Sequence, residues 1–487
     1  MGVVKKQGIQ NTIVSYVGSG LGFLNKILLF PIVFGLEQVG LLNVLSSITL
    51  LYAQVAGFGI YNVIIRFFPE YQKKDKKGFL SLVLVWFLVG FAICSGVFYF
   101  FHDYVKELLF AKAPLLQEYF GWIVPMSFLV LLFEVLASYA RALLKSVFAS
   151  FLRDFVLRLL VTGVVVLYFF DWIDFNWFIN LFVGAYLVMA GIMLGYFVYL
   201  GELKFGKINM LPTELKYLFK FGGFVFLAES SSLLVSNIDS FMLASMIGLT
   251  DTAVYTTMIF LTSAFLIPYR GMAKIATPIV PRLWAENNTR EIQNLYTKFS
   301  ATNFFIGGVL FMLILANIEL LFLFLPPEFR AGLMVFTVVG LARLVEVLYG
   351  INGVILVNSK KYKADLIFAI VLIIITIGTN FLLIPKFGMV GATLASFFSI
   401  VVINMARGIY LRKSYGFKLF NKEIILSVLF FSGAFTALYS VSFDDLIVDL
   451  IVNNLVVLLL FALPVLYFKL APEINKMLLE LKSKVLG

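Results

Sequence analysis

The sequence predicts an all-α polytopic membrane protein. Three observations carry that expectation. Of 487 residues, 61% are hydrophobic and 13% charged, with a mean hydropathy of +1.00, more apolar surface than a soluble core needs. The apolar residues come in repeated runs of about 20, the length that crosses a bilayer core as a helix. Lys and Arg alternate between heavily and sparsely charged breaks, as they do across a membrane.

Taken in order, the runs give about fourteen spans. They cover residues 10–34, 41–65, 79–101, 118–142, 150–170, 176–200, 217–247, 252–278, 299–318, 332–356, 364–384, 388–411, 423–442 and 447–468. With the N-terminus inside, the inside segments hold roughly 28 Lys and Arg and the outside loops roughly 4. That bias predicts an even number of spans and two cytoplasmic termini. "EYQKKDKKG" and "NSKKYKAD" are the most basic inside loops, and "SFDDLIVD" is an acidic outside loop. The longest outside loop, "HDYVKELLFAKAPLLQEY", reads as a short interfacial helix, and the tail "APEINKMLLELKSKVLG" as an amphipathic cytoplasmic one. The basic N-terminus lacks a cleavage site and reads as the start of the first span.

Composition also excludes chemistry. The formal charge of +11 belongs to topology rather than to nucleic acid, given where the basic residues lie. One cysteine, Cys94, forbids an intramolecular disulfide. One histidine, His102, argues against zinc clusters and serine–histidine–aspartate triads. No phosphate-binding Gly-rich loop with Lys-Ser/Thr is present, and no cofactor is expected.

The chain carries an internal repeat. "NKILLFPIVFGLEQVGLLNV" (25–44) aligns with "IDSFMLASMIGLTDTAVYTT" (238–257), matching Gly35 with Gly248 and Leu36 with Leu249. The following span closes on Pro69 in one copy and Pro281 in the other. Six spans separate the copies, so both have one orientation. The expected plan is an N-lobe at 1–205, a C-lobe at 206–411, and two added spans with the tail at 412–487.

Ionisable side chains inside a span cost about 2.5–3.5 kcal/mol each on insertion scales and need a partner or water. The candidates are Lys26, Glu134, Arg158, Glu229, Asp239, Arg270, Lys274, Arg343 and Glu346. By the repeat, Lys26 matches Asp239, Lys274 matches Asn62 and Arg270 matches Phe58. A charge present on one side of a repeat points to a ligand rather than a shared scaffold. Lys26, Arg270, Lys274 and Arg343 are therefore candidates for substrate, and Glu229, Asp239, Glu346 and Glu134 for ion coupling or gating. The plainer alternatives are a Lys26–Asp239 bridge, a snorkelling Lys274, a local Arg343–Glu346 pair at i, i+3, and a Glu134–Arg158 pair. Gly18 and Gly22 form a close-approach face, and Pro31, Pro125, Pro268 and Pro278 are expected to kink their spans.

Several stretches resemble a known family. "ILLFPIVFGLEQVGLLNV", "SNIDSFMLASMIGLTDTAVY" and "NFLLIPKFGMVGATLAS" are similar to the polysaccharide and lipid-linked oligosaccharide flippases of the multidrug/oligosaccharidyl-lipid/polysaccharide exporter superfamily. The resemblance implies two six-helix lobes around a cationic cavity and alternating access. It implies a substrate of polyprenyl-diphosphate-linked oligosaccharide, its tail left in lipid beside spans 1 and 8, where Lys26, Arg270 and Lys274 lie. It further implies a bacterial inner membrane, the lipid bilayer as partner, and a glycan polymerase and glycosyltransferases as associates. The competing expectations are an ion-coupled drug or organic cation antiporter of the same superfamily, and a membrane glycosyltransferase or polymerase. The antiporter expects an acidic cluster in one lobe. The enzyme expects a long outside loop or an acidic catalytic motif near the first outside loop, which here is only "GLEQVG".

Overall fold

Every regular element among the described residues is helical. The structure, a computed structural model, describes residues 14, 17–440, 443, 445–477 and 480. The basic start of the chain, part of the "SFDDLIVD" loop and the end of the tail lie outside the described residues. The chain forms two compact units, Met1–Thr256 and Thr257–Gly487.

The first unit opens with α1 (Val17–Val33), which contains a π-helical turn at Leu24–Leu29. It continues with α2 (Leu36–Gly57), α3 (Ile60–Lys74) and α4 (Lys76–Phe100). Short helical turns at His102–Tyr104, Val105–Leu109 and Pro114–Glu118 occupy the connection between α4 and α5. Then come α5 (Ile123–Ala142), α6 (Leu157–Phe169), α7 (Phe175–Tyr199), α8 (Pro212–Met246) and the start of α9 (Leu249–Thr262). Aromatic rings close one end of the unit: Phe34 lies 4.9 Å from Tyr168 and 4.6 Å from Phe178 between centroids. Offset and tilted ring pairs of this kind add about 0.5–1.5 kcal/mol beyond their burial.

The stretch expected as one span at 41–65 is broken. Phe58 (φ 41°) and Gly59 (φ 76°) both adopt left-handed backbone between α2 and α3. A Cβ on Gly59 would lie 2.1 Å from the Gly222 carbonyl oxygen of α8, so only glycine permits this approach.

The loop between α7 and α8 is tied to the first basic loop. Ser81 Oγ donates to the Gly206 carbonyl (2.7 Å) and accepts from the Gly206 N–H (2.9 Å). Lys76 pairs with Glu202, and Lys74 pairs with Glu214. The Tyr139 hydroxyl donates to Glu202 at 2.9 Å. Burial pushes the Glu202 carboxyl up, but Lys76 and Tyr139 outweigh that and hold it below the usual carboxylate range.

The second unit takes the end of α9 into α10 (Leu266–Ala285), with a 53° bend between them. Pro268 accounts for the break. It cannot donate to the carbonyl of residue 264, and its ring clashes there, so α9 stops at Thr262. Next are α11 (Thr289–Ala316), α12 (Leu333–Tyr349), α13 (Asn352–Val357), α14 (Lys363–Tyr415), α15 (Lys422–Ser440) and α16 (Leu446–Tyr467). α14 is one run of 53 residues in name only: Gly388 (φ 57°, ψ −132°) interrupts it. Asp365 and Arg407, near its two ends, meet at 2.8 Å. A straight helix would hold them about 63 Å apart, so the chain folds back at Gly388.

Among the described residues nine helices are long and apolar enough to cross a membrane, or ten with the bent α9–α10 pair. About fourteen spans were expected. The difference lies in short α1, in α8 with its polar Glu229, Asn237 and Asp239, in the segmented 146–169 stretch, and in α14, which holds two expected spans in one run.

Candidate functional site

In the first unit, the π-helical turn sets the environment of Lys26. Asn25 faces inward, 3% exposed. Its Nδ2 donates to the Arg158 carbonyl at 3.1 Å, and its Oδ1 accepts from Thr162 Oγ1 at 2.8 Å. These bonds fasten α1 to α6 and leave Lys26 half-buried. The Arg158 guanidinium donates to the Gly18 carbonyl and lies close enough to repel the Lys26 ammonium. Asp154 also acts on the Arg158 guanidinium, so the neighbourhood holds an acid beside the two cations. π-Helical turns recur at functional sites because the extra residue re-aims the side chains around it.

Arg158 was expected to pair with Glu134, and the structure corrects this. Glu134 pairs instead with Arg153 (3.1 Å) and Arg141 (3.8 Å). The two residues were matched by depth, but depth does not fix the direction in which a helix presents a side chain.

Glu229 sits against the break between α2 and α3. Asn62 Nδ2 donates to one carboxylate oxygen at 2.7 Å and Gln54 Nε2 to the other at 3.2 Å. Gln54 stands on α2 and Asn62 on α3, so the carboxylate spans the break. Gly222, Phe226 and Glu229 occupy one face of α8 at i, i+4 and i+7. That face meets the break at three points, including a Phe58–Phe226 ring contact of 4.9 Å. Both of these donors to the carboxylate are neutral amides. Gln54 was not among the sequence candidates, and Asn62 entered only as the counterpart of Lys274. A search confined to ionisable groups passes over amides. Asp239, further along α8, accepts from the Tyr255 hydroxyl at 3.0 Å.

In the second unit, Arg270 and Lys274 are one turn apart on α10 and both are exposed. Neither makes an ion pair among the described residues. Tyr269 beside them is tied down, its hydroxyl donating to the Gly350 carbonyl at 3.1 Å. Arg343 and Glu346 form the expected local pair, Nη1 to Oε2 at 2.7 Å. The Asp365–Arg407 bridge was not expected. Its partners are distant in sequence and meet only through the reversal at Gly388. Groups of three or more His, Cys, Asp or Glu able to hold a metal ion are absent among the described residues.

Comparison with known proteins fits this arrangement. Residues 4–284 match the family described as polysaccharide biosynthesis protein. The chain belongs to that family. It is 24% identical to an uncharacterized membrane protein of Methanocaldococcus jannaschii over 474 residues, 88% of this chain and 87% of the other. Its fold matches the lipid II flippase MurJ in an inward closed conformation, with a TM-score of 0.72 and 15% identity, over 97% of this chain and all (100%) of that one. It also matches an inward-facing multidrug resistance MATE family transporter of the MOP superfamily, with a TM-score of 0.62 and 16% identity, over 82% and 93% of the two chains. A member of this family is therefore folded like the solved flippase and transporter structures.

Proposed function

We propose that this protein is a flippase that moves a polyprenyl-diphosphate-linked oligosaccharide across a cytoplasmic membrane by alternating access. The observation that carries the reading is the exposed Arg270–Lys274 pair on α10, which makes no ion pair among the described residues. Such a pair in an apolar span is costly unless it faces water or an anion. A diphosphate is the anion that two cations one turn apart suit best, through charge-assisted hydrogen bonds. The family's description and the MurJ-like fold support the same substrate class. The organisation we propose is six helices at 1–205, six at 206–411 in parallel repeat, and two with the tail at 412–487. Both termini are cytoplasmic in this proposal, and glycosyltransferases and a glycan polymerase supply and consume the cargo.

The test is complementation. In a strain lacking its own glycan flippase, the wild-type chain restores surface glycan and Arg270→Ala does not, at equal protein level. Full restoration by Arg270→Ala would sink the reading.

Glu229 favours a second reading, an ion-coupled antiporter. A carboxylate held by two neutral amides at a helix break can exchange a proton or small cation, and its two helices would respond. Drug tolerance measured beside surface glycan separates the two. A changed drug profile with intact glycan selects the antiporter.

A further inference from the structure

The end of α14, next to the basic stretch that the charge pattern assigns to the cytoplasmic side, carries a feature that the flippase reading does not use. α14 ends at Tyr415, and Gly416 (φ 73°) turns the chain, its N–H donating to the Arg412 carbonyl at 2.9 Å. The next four residues alternate. Phe417 (4% exposed) and Leu419 (6%) turn inward, while Lys418 and Phe420 face out. Gln293 of α11 clasps this segment from both sides. Its Nε2 donates to the Lys418 carbonyl at 2.7 Å, and its Oε1 accepts from the Lys418 N–H at 2.8 Å. The turn therefore places Lys418 beside Arg412 on a backbone that is already fixed, which lowers the ordering cost of binding.

A cavity of about 140 Å³ opens there, lined by Tyr349, Ile409, Arg412, Phe417, Lys418 and Phe420 among others. Its back wall is tight, since a Cβ on Gly408 would stand 2.4 Å from the Tyr349 ring. The volume is well below the roughly 300–1,000 Å³ of pockets that enclose a whole ligand. It suits a headgroup whose remainder lies outside. The lining has two cations and no acid. Its outer lip is apolar and exposed, with Ile409 at 51% and Phe420 at 52%. Cations over an apolar lip, at the end of an apolar helix and in a loop of cytoplasmic charge character, match one amphiphile: a phosphate head with acyl chains in the bilayer.

We propose that this groove is a binding site for an anionic phospholipid of the cytoplasmic leaflet. The phosphate sits between Arg412 and Lys418, and the acyl chains run over Ile409 and Phe420. The site is separate from the Arg270–Lys274 face and does not rest on the flippase reading.

The test uses the full-length protein purified in detergent, titrated with phosphatidylglycerol or with phosphatidylcholine of the same acyl chains. Bound lipid is counted by native mass spectrometry. We expect phosphatidylglycerol to be preferred, and Arg412→Gln with Lys418→Gln to lower its affinity roughly tenfold or more without changing phosphatidylcholine binding. The swap Arg412→Lys with Lys418→Arg retains the preference, which separates charge from loss of fold. Three results would overturn the proposal: unchanged phosphatidylglycerol binding in the Gln double variant, equal affinity for phosphatidylcholine in the wild type, or displacement of the lipid by an equal concentration of inorganic phosphate.

Discussion

α3 and α10 hold the residues that the sequence alignment, extended to Pro69 and Pro281, would pair, yet they handle polar groups in opposite ways. Asn62 on α3 turns inward to hold Glu229, and that carboxylate has a donor for each oxygen. Lys274, its counterpart on α10, stands exposed beside Arg270, and no acid answers either among the described residues. The lesson is that two bent helical stretches of one chain can serve different ends: one builds an internal joint and the other presents charge outward. The breaks differ as well: the first copy breaks at Phe58–Gly59 through left-handed backbone, the second ahead of Pro268 through a missing donor.

The sharpest way to break this contrast is Arg270→Ala. Losing a charge-assisted contact to a diphosphate, about 1.5–3 kcal/mol, should cut glycan export roughly 10- to 100-fold. Because the side chain is exposed and unpaired, thermal stability in detergent should stay within about 0.5 kcal/mol of wild type. A variant that lost export only by unfolding would erase the distinction between the two copies.

Next in size is Gly59→Ala at the joint. A side chain there meets both the left-handed backbone and the Gly222 carbonyl. The expected loss is about 2–4 kcal/mol from the two causes together, read as a lowered thermal midpoint. An unchanged midpoint would mean that the break does not need glycine. Asn62→Ala should cost somewhat less, about 1–3 kcal/mol, by leaving one carboxylate oxygen without its donor. A double-mutant cycle with Glu229→Gln tests this, since coupling between the two sites is expected and additivity would deny the contact.

The smallest effect concerns the tied loop. The Glu202 carboxyl is held below its ordinary range in the folded chain. Its contribution is therefore present above the unfolded carboxylate pKa and is lost as pH falls through the lower folded value. Lys76→Gln should remove that contribution, within about 1 kcal/mol. The variant should be less stable than wild type near neutrality, and the difference should close as pH falls through the folded carboxyl's range, which leaves a shallower acid limb. A loss of equal size at all pH values would point to packing of the Lys76 stem instead.

Much of this architecture was readable before any coordinates. The class followed from composition, and the Arg343–Glu346 pair from i, i+3 spacing. The reversal at Gly388 falls where the expected spans 364–384 and 388–411 divide. Other contacts were not readable, for physical reasons. Spacing along one helix fixes neighbours, but it says nothing of which way a second helix is turned, so Glu134 was assigned Arg158 when Arg153 and Arg141 were within reach. Gln54 carries no charge to make it conspicuous in a span. Asp365 and Arg407 are neighbours only after the chain has doubled back.

The clasp of Ser81 on Gly206 changes what the α7–α8 loop offers to a protease. Lys204 and Lys207 flank the clasped glycine and are formal cleavage points for trypsin. Cleavage needs several residues of extended, freed backbone. Here the carbonyl and N–H of Gly206 are both engaged, and Glu202 is anchored to Lys76 and Tyr139. A loop with the composition of a flexible linker should therefore be cut at the rate at which the clasp opens. Digestion kinetics at this one position would then serve as a clock for motion at the base of α8.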